Sequence, residues 1–170
     1  MIVENTNYVD YLISLSKEGR TRSFIDLCEI NLRNVYSAIY RIISDQKAAA
    51  SLTIFTFLQA WERLDEYDSK TPFAMWLKKL AVIYTILDLK RNPRNNIPLQ
   101  NKNNFNSSLE FLESVILSLP TNDRIIFVLH DLEGYSYEDI SRSFVDNMMV
   151  DEIRSVLIQT REYIADKINK

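Results

Sequence analysis

Glycine is scarce in this chain, where Gly19 and Gly134 are the only two among 170 residues. Loops that cradle phosphate groups and dinucleotide-binding fingerprints need several glycines within a short span. Folds rich in β-structure also need glycine in their turns. The scarcity of glycine therefore argues against both kinds of phosphate-binding loop and against a β-rich fold.

Histidine and cysteine each occur once, as His130 and Cys28. A single histidine excludes nearly all His-based catalytic triads and multi-His metal sites. A single cysteine cannot form an internal disulfide, which is typical of proteins in a reducing cytoplasm. Because no nucleophile–base pair and no metal-binding cluster is visible, we predict a protein that is not an enzyme and needs neither a metal ion nor a cofactor.

Long apolar runs are also missing. No stretch approaches the roughly 18 uninterrupted apolar residues of a membrane span, and the N-terminal residues MIVENTNYVDY lack the basic and apolar regions of a signal peptide. An apolar content of 46% with 25% charged residues is typical of a soluble globular protein. We therefore expect a cytoplasmic protein that does not contact a membrane.

Charge is unevenly distributed along the chain, whose net charge is −3. Residues 1–94 carry 13 Lys/Arg against 11 Asp/Glu, a balance of +2, whereas residues 108–170 carry 6 against 12, a balance of −6. An acidic half-chain is a poor electrostatic match for the phosphate backbone of a nucleic acid.

Residues 92–107, NPRNNIPLQNKNNFNS, divide the sequence, since they hold two prolines and seven asparagines. Both residue types favour turns over helix interiors, and few apolar side chains are present to be buried. We predict a linker here, with domains at residues 1–91 and 108–170.

Apolar spacings of three and four residues predict helices in both domains. In the first domain they cover residues 24–42, 54–64 and 73–87, with a weaker pattern at 6–18. The helix from residue 73 is apolar nearly all round, so it is either central in its bundle or carries an exposed patch that binds a partner.

The second domain reads as four shorter helices, of which the second ends at Gly134 and the last covers residues 150–168. The last two form a short helix, a turn and a longer helix, which is the helix-turn-helix pattern. The predicted fold class is all-α, with two small helical domains joined by a linker and a helix-turn-helix in the second.

Several motifs resemble those of one protein family. LP, DR, DLEGYSYEDI and IRSVLIQTRE resemble the C-terminal domain of extracytoplasmic-function (ECF) sigma factors, and FTFLQAWERL, TPFAMWLKKLA and DLKR resemble their N-terminal domain. Order and spacing agree over about residues 20–168. The resemblance implies a protein that binds core RNA polymerase and promoter DNA.

The resemblance also implies which residues make these contacts. The helix ending in FLQAW would dock on the clamp helices of the polymerase largest subunit, the helix from Phe73 would melt the minus-ten element, and the final helix would enter the major groove at the minus-thirty-five element. The expected polymerase contacts are Ser51, Ile54, Phe55, Leu58, Gln59 and Trp61. The expected DNA contacts are Lys78, Lys79, Tyr84, Lys90, Arg91, Arg94, Arg154, Ser155 and Arg161.

The first domain departs from the family pattern at both of its surfaces. Ala50, Ser51, Ile54 and Phe55 stand where the family usually has acidic and Gln-Glu pairs, so the polymerase-docking surface becomes apolar. After WLKKLA the family usually has Arg-Asn, but this chain has Val-Ile at 82–83. Neither side chain can make the directional hydrogen bonds that base readout requires.

The final helix departs as well. Val156, Ile158 and Gln159 stand where basic or polar residues are expected, and Asp151 and Glu152 lie near the start of the helix. These changes weaken the attraction to phosphate and the capacity to read bases. The cations that survive at the end of the first domain and just after it are typical of sequence-blind contacts to a phosphate backbone, and they are Lys78, Lys79, Lys90, Arg91 and Arg94.

Two functional interpretations remain open from the sequence. The first is a divergent ECF sigma factor whose target choice is partly left to a recruiting protein, which contacts the acidic second domain or the apolar face around Val82, Ile83 and Ile86. The alternative is a sigma-like mimic that binds an anti-sigma factor or other regulator without initiating transcription. Trp61 and Trp76 lie on apolar stripes, so packing is the expected role of both rings rather than base stacking.

Overall fold

The computed structural model describes residues 3–92, 107–143 and 148–169, and in these ranges the regular structure is helical. The predicted linker lies almost entirely outside the described residues, as does Arg94. The α-helices are α1 (Val3–Lys17), α2 (Thr21–Ile43), α3 (Gln46–Glu62), α4 (Phe73–Arg91), α5 (Ser108–Ser118), α6 (Thr121–Phe127), α7 (Tyr137–Ser143) and α8 (Val150–Ile168). None of the described helices is both long and apolar enough to cross a membrane.

The chain divides into two compact units. The first consists of Met1–Ile39 and Gln46–Thr85, and the second consists of Tyr40–Asp45 and Ile86–Lys170. The C-terminal end of α2 thus belongs to the second unit, together with the last turns of α4 and helices α5 to α8. The all-helical class and the expected helices, including the weaker one at 6–18, are confirmed.

Both glycines end helices in the left-handed backbone region that favours this residue. At the end of α1, Gly19 has φ +86°, and the amides of Gly19 and Arg20 donate to the carbonyls of Ser16 and Leu15 at 2.9 and 3.0 Å. This pattern satisfies the last carbonyls of the helix. Gly134 has φ +77° and ends its helix in the same manner, as the sequence predicts.

The core of the first unit is formed by buried faces of α1 to α4 and the segment between α3 and α4. Aromatic rings account for much of the packing there: Phe24 lies 4.9 Å from Trp61, and Tyr67 lies 5.4 Å from both Phe73 and Trp76 (ring centroids). Packing as the role of the two tryptophans is confirmed. The buried apolar residues include Leu12, Ile13, Phe24, Leu27, Val35, Ala38, Ile39, Ala49, Ala60, Leu64, Leu77, Leu80 and Ala81.

In the second unit, α8 packs against α5, α6 and α7. Helix α6 continues directly into a π-helical turn at Val128–Leu132, and Ser136 caps α7 by accepting a hydrogen bond from the Asp139 amide at 3.1 Å. The buried apolar residues include Val115, Ile116, Leu117, Leu119, Ile125, Ile126, Val128, Leu129, Ile140, Ile153, Leu157 and Ile164.

A buried arginine lies within this second core. Arg124 is 1% exposed, and its guanidinium donates hydrogen bonds to the carbonyls of Ile42, Leu117 and Leu119 at 2.8 to 3.3 Å. The first carbonyl lies at the end of α2, and the other two lie at the end of α5. The planar fork of an arginine can serve several carbonyls at once. Burial lowers the pKa of Arg124 to about 10.

Candidate functional site

Helix α3 presents the residues that the sequence predicts to contact the polymerase. Ile54, Phe55 and Leu58 are 63%, 45% and 58% exposed, and Ser51 is exposed one turn before them. Residues four apart on a helix are neighbours on its surface, so these side chains form one stripe. The predicted residues therefore lie together on a single helix face.

Gln59 and Trp61 lie beside this stripe and are half-buried. Trp61 contacts Phe24 of α2, as described above, whereas the Gln59 side chain donates to Glu62 at 2.8 Å. Both residues therefore have contacts within the chain that hold the end of α3 in place.

Tyr84 of α4, a predicted DNA contact, is half-buried against α3. Its ring meets Phe55 edge to face with centroids 5.2 Å apart, and its hydroxyl donates to the Gln59 side chain at 3.3 Å. An edge-to-face pair adds attraction beyond the area that it buries. The contacts of Tyr84 with Phe55 and Gln59 thus hold the exposed stripe of α3 against α4.

The apolar face predicted around Val82, Ile83 and Ile86 is not a docking surface. Val82 and Ile86 are 1% and 4% exposed, and Ile83 is half-buried. A helix that is apolar all round is usually buried on several of its sides by the helices packed around it. The prediction that a recruiting protein binds this face is therefore wrong.

Basic residues of α4 lie on its solvent side. Lys79, Lys90 and Arg91 are exposed, and Lys78 is half-buried. Lys90 and Arg91 occupy the last turn, where cations also interact favourably with the helix dipole. Within the described residues these are the side chains of α4 that can approach a phosphate backbone.

On α8, Arg161 is held by an ion pair with Asp131 of the π-helical turn. Nε and Nη2 of Arg161 lie 2.8 and 2.5 Å from the two carboxylate oxygens of Asp131, which is a bidentate geometry. His130 Nδ1 lies 2.8 Å from the same carboxylate. Hydrogen bonds from Arg161 and His130 lower the pKa of Asp131 against the opposing effect of its partial burial.

Arg154 and Ser155, the other predicted DNA contacts of α8, also have partners within the chain. The guanidinium of Arg154 lies 5.2 Å from the ring centroid of Tyr137 and 3.4 Å from an oxygen of Asp151. Ser155 donates to the backbone carbonyl of Asp151 at 2.9 Å. Tyr137 in turn stacks on His130, with ring centroids 4.4 Å apart.

These contacts tie α8 to the preceding helices through a small cluster of His130, Asp131, Tyr137, Arg154 and Arg161. Sequence reasoning found the two arginines but not their partners, because Asp131 and Arg161 are separated by 30 residues. The start of α8 is acidic, with exposed Asp151 and Glu152, and the Glu152 carboxylate accepts from the Met149 amide at 2.7 Å.

Among the described residues no group of three or more His, Cys, Asp or Glu side chains could hold a metal ion. Cys28 is half-buried on α2, and burial raises the pKa of its thiol to about 12. A protonated thiol is a poor nucleophile, so we expect Cys28 to be unreactive.

Comparisons with known proteins find sigma factors. Residues 110–144 match the family model described as Sigma-70, region 4, and this span covers α5 to α7. The ECF RNA polymerase sigma-E factor of Escherichia coli strain K12 is 26% identical over 134 residues, which cover 66% of this chain and 69% of that protein. SigE of Mycolicibacterium smegmatis is 26% identical over 163 residues, 87% of this chain and 62% of that protein.

Two solved structures share the fold. CnrH in complex with the cytosolic domain of CnrY has a TM-score of 0.57 at 19% identity, covering 95% of this chain and 97% of that one. The sigma factor RpoE of Bartonella quintana in complex with the anti-sigma factor NepR has a TM-score of 0.60 at 15% identity, covering 87% and 98%. At these identities the likeness concerns the helical fold.

Proposed function

We propose that this chain, a divergent relative of the ECF sigma factors, binds core RNA polymerase in the cytoplasm and directs the initiation of transcription at promoters. The observation that carries the proposal is the match of residues 110–144 to sigma-70 region 4, together with ECF sigma relatives that align over as much as 87% of the chain. We assign the polymerase-binding and promoter-melting role to residues 1–91 and the region 4 role to residues 108–170, with residues 92–107 as the linker.

The exposed stripe of α3 supports the assignment of the polymerase contact. Ser51, Ile54, Phe55 and Leu58 lie at the surface and share one face, as a docking helix requires. Lys79, Lys90 and Arg91 of α4 are exposed and carry the charge that a phosphate backbone attracts. Such contacts position a protein on nucleic acid without reading its sequence.

The recognition of a specific promoter is the part of the proposed function for which α8 gives the least support. Arg154 and Arg161 are engaged within the chain, and the start of the helix is acidic. We therefore propose that a second protein brings the polymerase complex to its targets by contacting the acidic second domain. Recruitment raises the effective concentration at the target, so weak intrinsic readout suffices.

A second candidate function is a sigma-like mimic that binds an anti-sigma factor or another regulator. Two observations favour it. The arginines of α8 have intrachain partners, and both solved structures of similar fold are complexes with a protein partner, one of them a sigma factor with an anti-sigma factor. The exposed cations of α4 favour the initiating sigma factor instead, because a mimic does not need them.

Association with core polymerase from the native host separates the two candidates. A sigma factor forms a holoenzyme with purified core polymerase and yields a transcript from at least one native promoter. A mimic co-purifies with a regulator and yields no transcript. Absence of both polymerase binding and transcription would refute the leading proposal. Tight, sequence-specific promoter binding by the holoenzyme alone would refute recruitment by a second protein.

A further inference from the structure

The two arginines of α8 lie on one flank of the helix. Arg154 and Arg161 are seven residues apart, which is two turns, and each directly follows a residue of the buried face. At 1.5 Å per residue, their positions are about 10 Å apart along the helix axis. Arg161 contacts Asp131 of the π-helical turn, and Arg154 contacts Tyr137 of α7. Both guanidinium groups therefore have partners on neighbouring elements of the second unit.

The outermost face of α8 carries acidic side chains instead of cations. The exposed residues at spacings of three and four opposite the buried face are Asp151, Ser155, Ile158, Glu162 and Asp166. Over its whole length, α8 holds four carboxylates against three cations. A DNA backbone is a polyanion, so the attraction of this helix to DNA depends on whether its few cations are available.

Asp131 occupies the side of the Arg161 guanidinium that a phosphate would use. Its two carboxylate oxygens accept hydrogen bonds from Nε and Nη2, and arginine binds phosphate through the same paired arrangement. The carboxylate is held in place, because the Asp131 side chain is only 17% exposed and His130 Nδ1 lies 2.8 Å from one of its oxygens. The Arg161 side chain is 47% exposed, so a polyanion can reach this guanidinium, but its charge is already neutralised.

We propose that Asp131 inhibits DNA binding by α8, because its carboxylate occupies the guanidinium of Arg161 in place of a DNA phosphate. This inference rests on the proposed function, since it takes α8 as a helix that approaches DNA, and it identifies the contact that keeps the affinity of α8 low. A chain inhibited in this way binds little DNA by itself. It binds at its targets when a recruiting protein raises its local concentration there.

The ion pair and a phosphate contact exclude each other on this side of the guanidinium. A phosphate can bind there only after the pair has opened, and the carboxylate of Asp131 would then remain beside the phosphate as a like charge. Both effects weaken DNA binding, and both are absent when residue 131 carries an uncharged amide. Removal of the carboxylate therefore adds one phosphate contact, which steepens the dependence of log K on log salt by about 0.9.

The test measures binding of the full chain to a fluorescein-labelled DNA duplex of mixed sequence, by fluorescence anisotropy between about 0.05 and about 0.2 M salt. A mixed sequence is suitable because phosphate contacts do not read bases. We expect Asp131→Asn to bind about three- to tenfold more tightly than the native chain at the lowest salt. Arg161→Gln is expected to stay within about twofold of the native chain, because its charge is already neutralised, and to abolish the gain when combined with Asp131→Asn.

Glu138→Gln is the matched control, because it also replaces a carboxylate of the second unit by an amide, at an exposed position of α7. The change in net charge is the same, but the pair between Asp131 and Arg161 is kept, so we expect a gain in affinity of less than about twofold. Asp131→Ser provides a second uncharged replacement in case the amide disturbs the fold. Circular dichroism and thermal unfolding of each variant show whether its fold is native.

A gain in Asp131→Asn that depends on Arg161 and is absent from Glu138→Gln supports inhibition by Asp131. The proposal is wrong if Asp131→Asn binds DNA no better than the native chain, or if Glu138→Gln shows an equal gain. It is also wrong if Asp131→Asn and Arg161→Gln both weaken binding, because Asp131 would then orient Arg161 toward DNA. Association of the native chain with core polymerase is measured separately. A chain that binds polymerase without this gain keeps the proposed function and loses only the present inference, whereas failure in both assays overturns both.

Discussion

Replacing Arg124 by methionine provides a direct test of the second unit's core. Methionine keeps most of the aliphatic stem but removes the guanidinium. The carbonyls of Ile42 and Leu119 then lose the hydrogen bonds from Arg124, and the carbonyl of Leu117 keeps only the longer one, 3.4 Å, from the Ser44 hydroxyl. A buried carbonyl left without a partner costs about 1–3 kcal/mol. Removing a buried charge offsets part of this cost, because burial already disfavours the charged arginine and lowers its pKa to about 10.

Taken together, we expect a net loss of about 3 kcal/mol in the free energy of unfolding of the second unit, the upper end of the range for hydrogen bonds made by a charged group. Hydrogen exchange is the suitable assay, because both tryptophans of the chain lie in the first unit and do not report on the second. Amides of α6 exchange through opening of their surroundings, so a loss of about 3 kcal/mol speeds their exchange about 150-fold.

Arg142→Met is the control for this experiment. Arg142 is exposed on α7 of the same unit, and surface substitutions of this kind usually change stability by less than about 0.5 kcal/mol. If α6 exchanges in Arg124→Met at the rate seen in Arg142→Met, then the guanidinium is not what satisfies these carbonyls and the reasoning is refuted.

Three further predictions follow from single side chains. Since the hydrogen bond from Arg161 lowers the pKa of Asp131 in the folded chain, its contribution to stability is complete above the ordinary pKa of aspartate and is lost as the pH falls through the lowered pKa. Urea titrations should therefore show a smaller loss of stability between about pH 5 and about pH 3 in Asp131→Asn than in the native chain, and an equal slope would contradict the ion pair with Arg161. With its pKa raised to about 12, Cys28 should react with iodoacetamide at pH 8 at least about a hundredfold more slowly than in urea-unfolded chain; equal rates would show an accessible thiolate. The buried Thr160 hydroxyl has no hydrogen-bond partner among the described residues, so Thr160→Val should stabilise the second unit by up to about 1 kcal/mol in the exchange assay, whereas a destabilised variant would indicate a partner.

Local patterns were enough to predict the helices of this chain. The apolar periodicity located the helices because residues of one type recur every three or four positions wherever a helix meets a core. Gly134 located a helix end because its φ of +77° is one that few other residues adopt. Exposure of Ile54 and Leu58 did not follow from their apolar spacing, which is typical of a core-facing side, but agrees with the docking surface that the family motif implies.

Contacts between residues far apart in the sequence could not be predicted from these local patterns. Arg161 was predicted to contact DNA because of its place in a family motif, but its ion pair depends on where the tertiary fold places Asp131. The burial of Arg124 could not be predicted from its position in a helix, because it depends on three carbonyls that the ends of two other helices bring to it. The burial of Val82 and Ile86 likewise depends on residues packed around them, which the apolar spacing within α4 does not identify.

The ion pair between Arg161 and Asp131 also bears on how this protein can evolve. Because Asp131 lies outside α8, the charge that α8 offers to solvent is partly set by a residue of the π-helical turn that follows α6. A change from Asp131 to asparagine would release a cation on the helix without altering any residue of that helix. Selection can therefore raise or lower the affinity of α8 for polyanions through substitutions at position 131, which lies outside this helix.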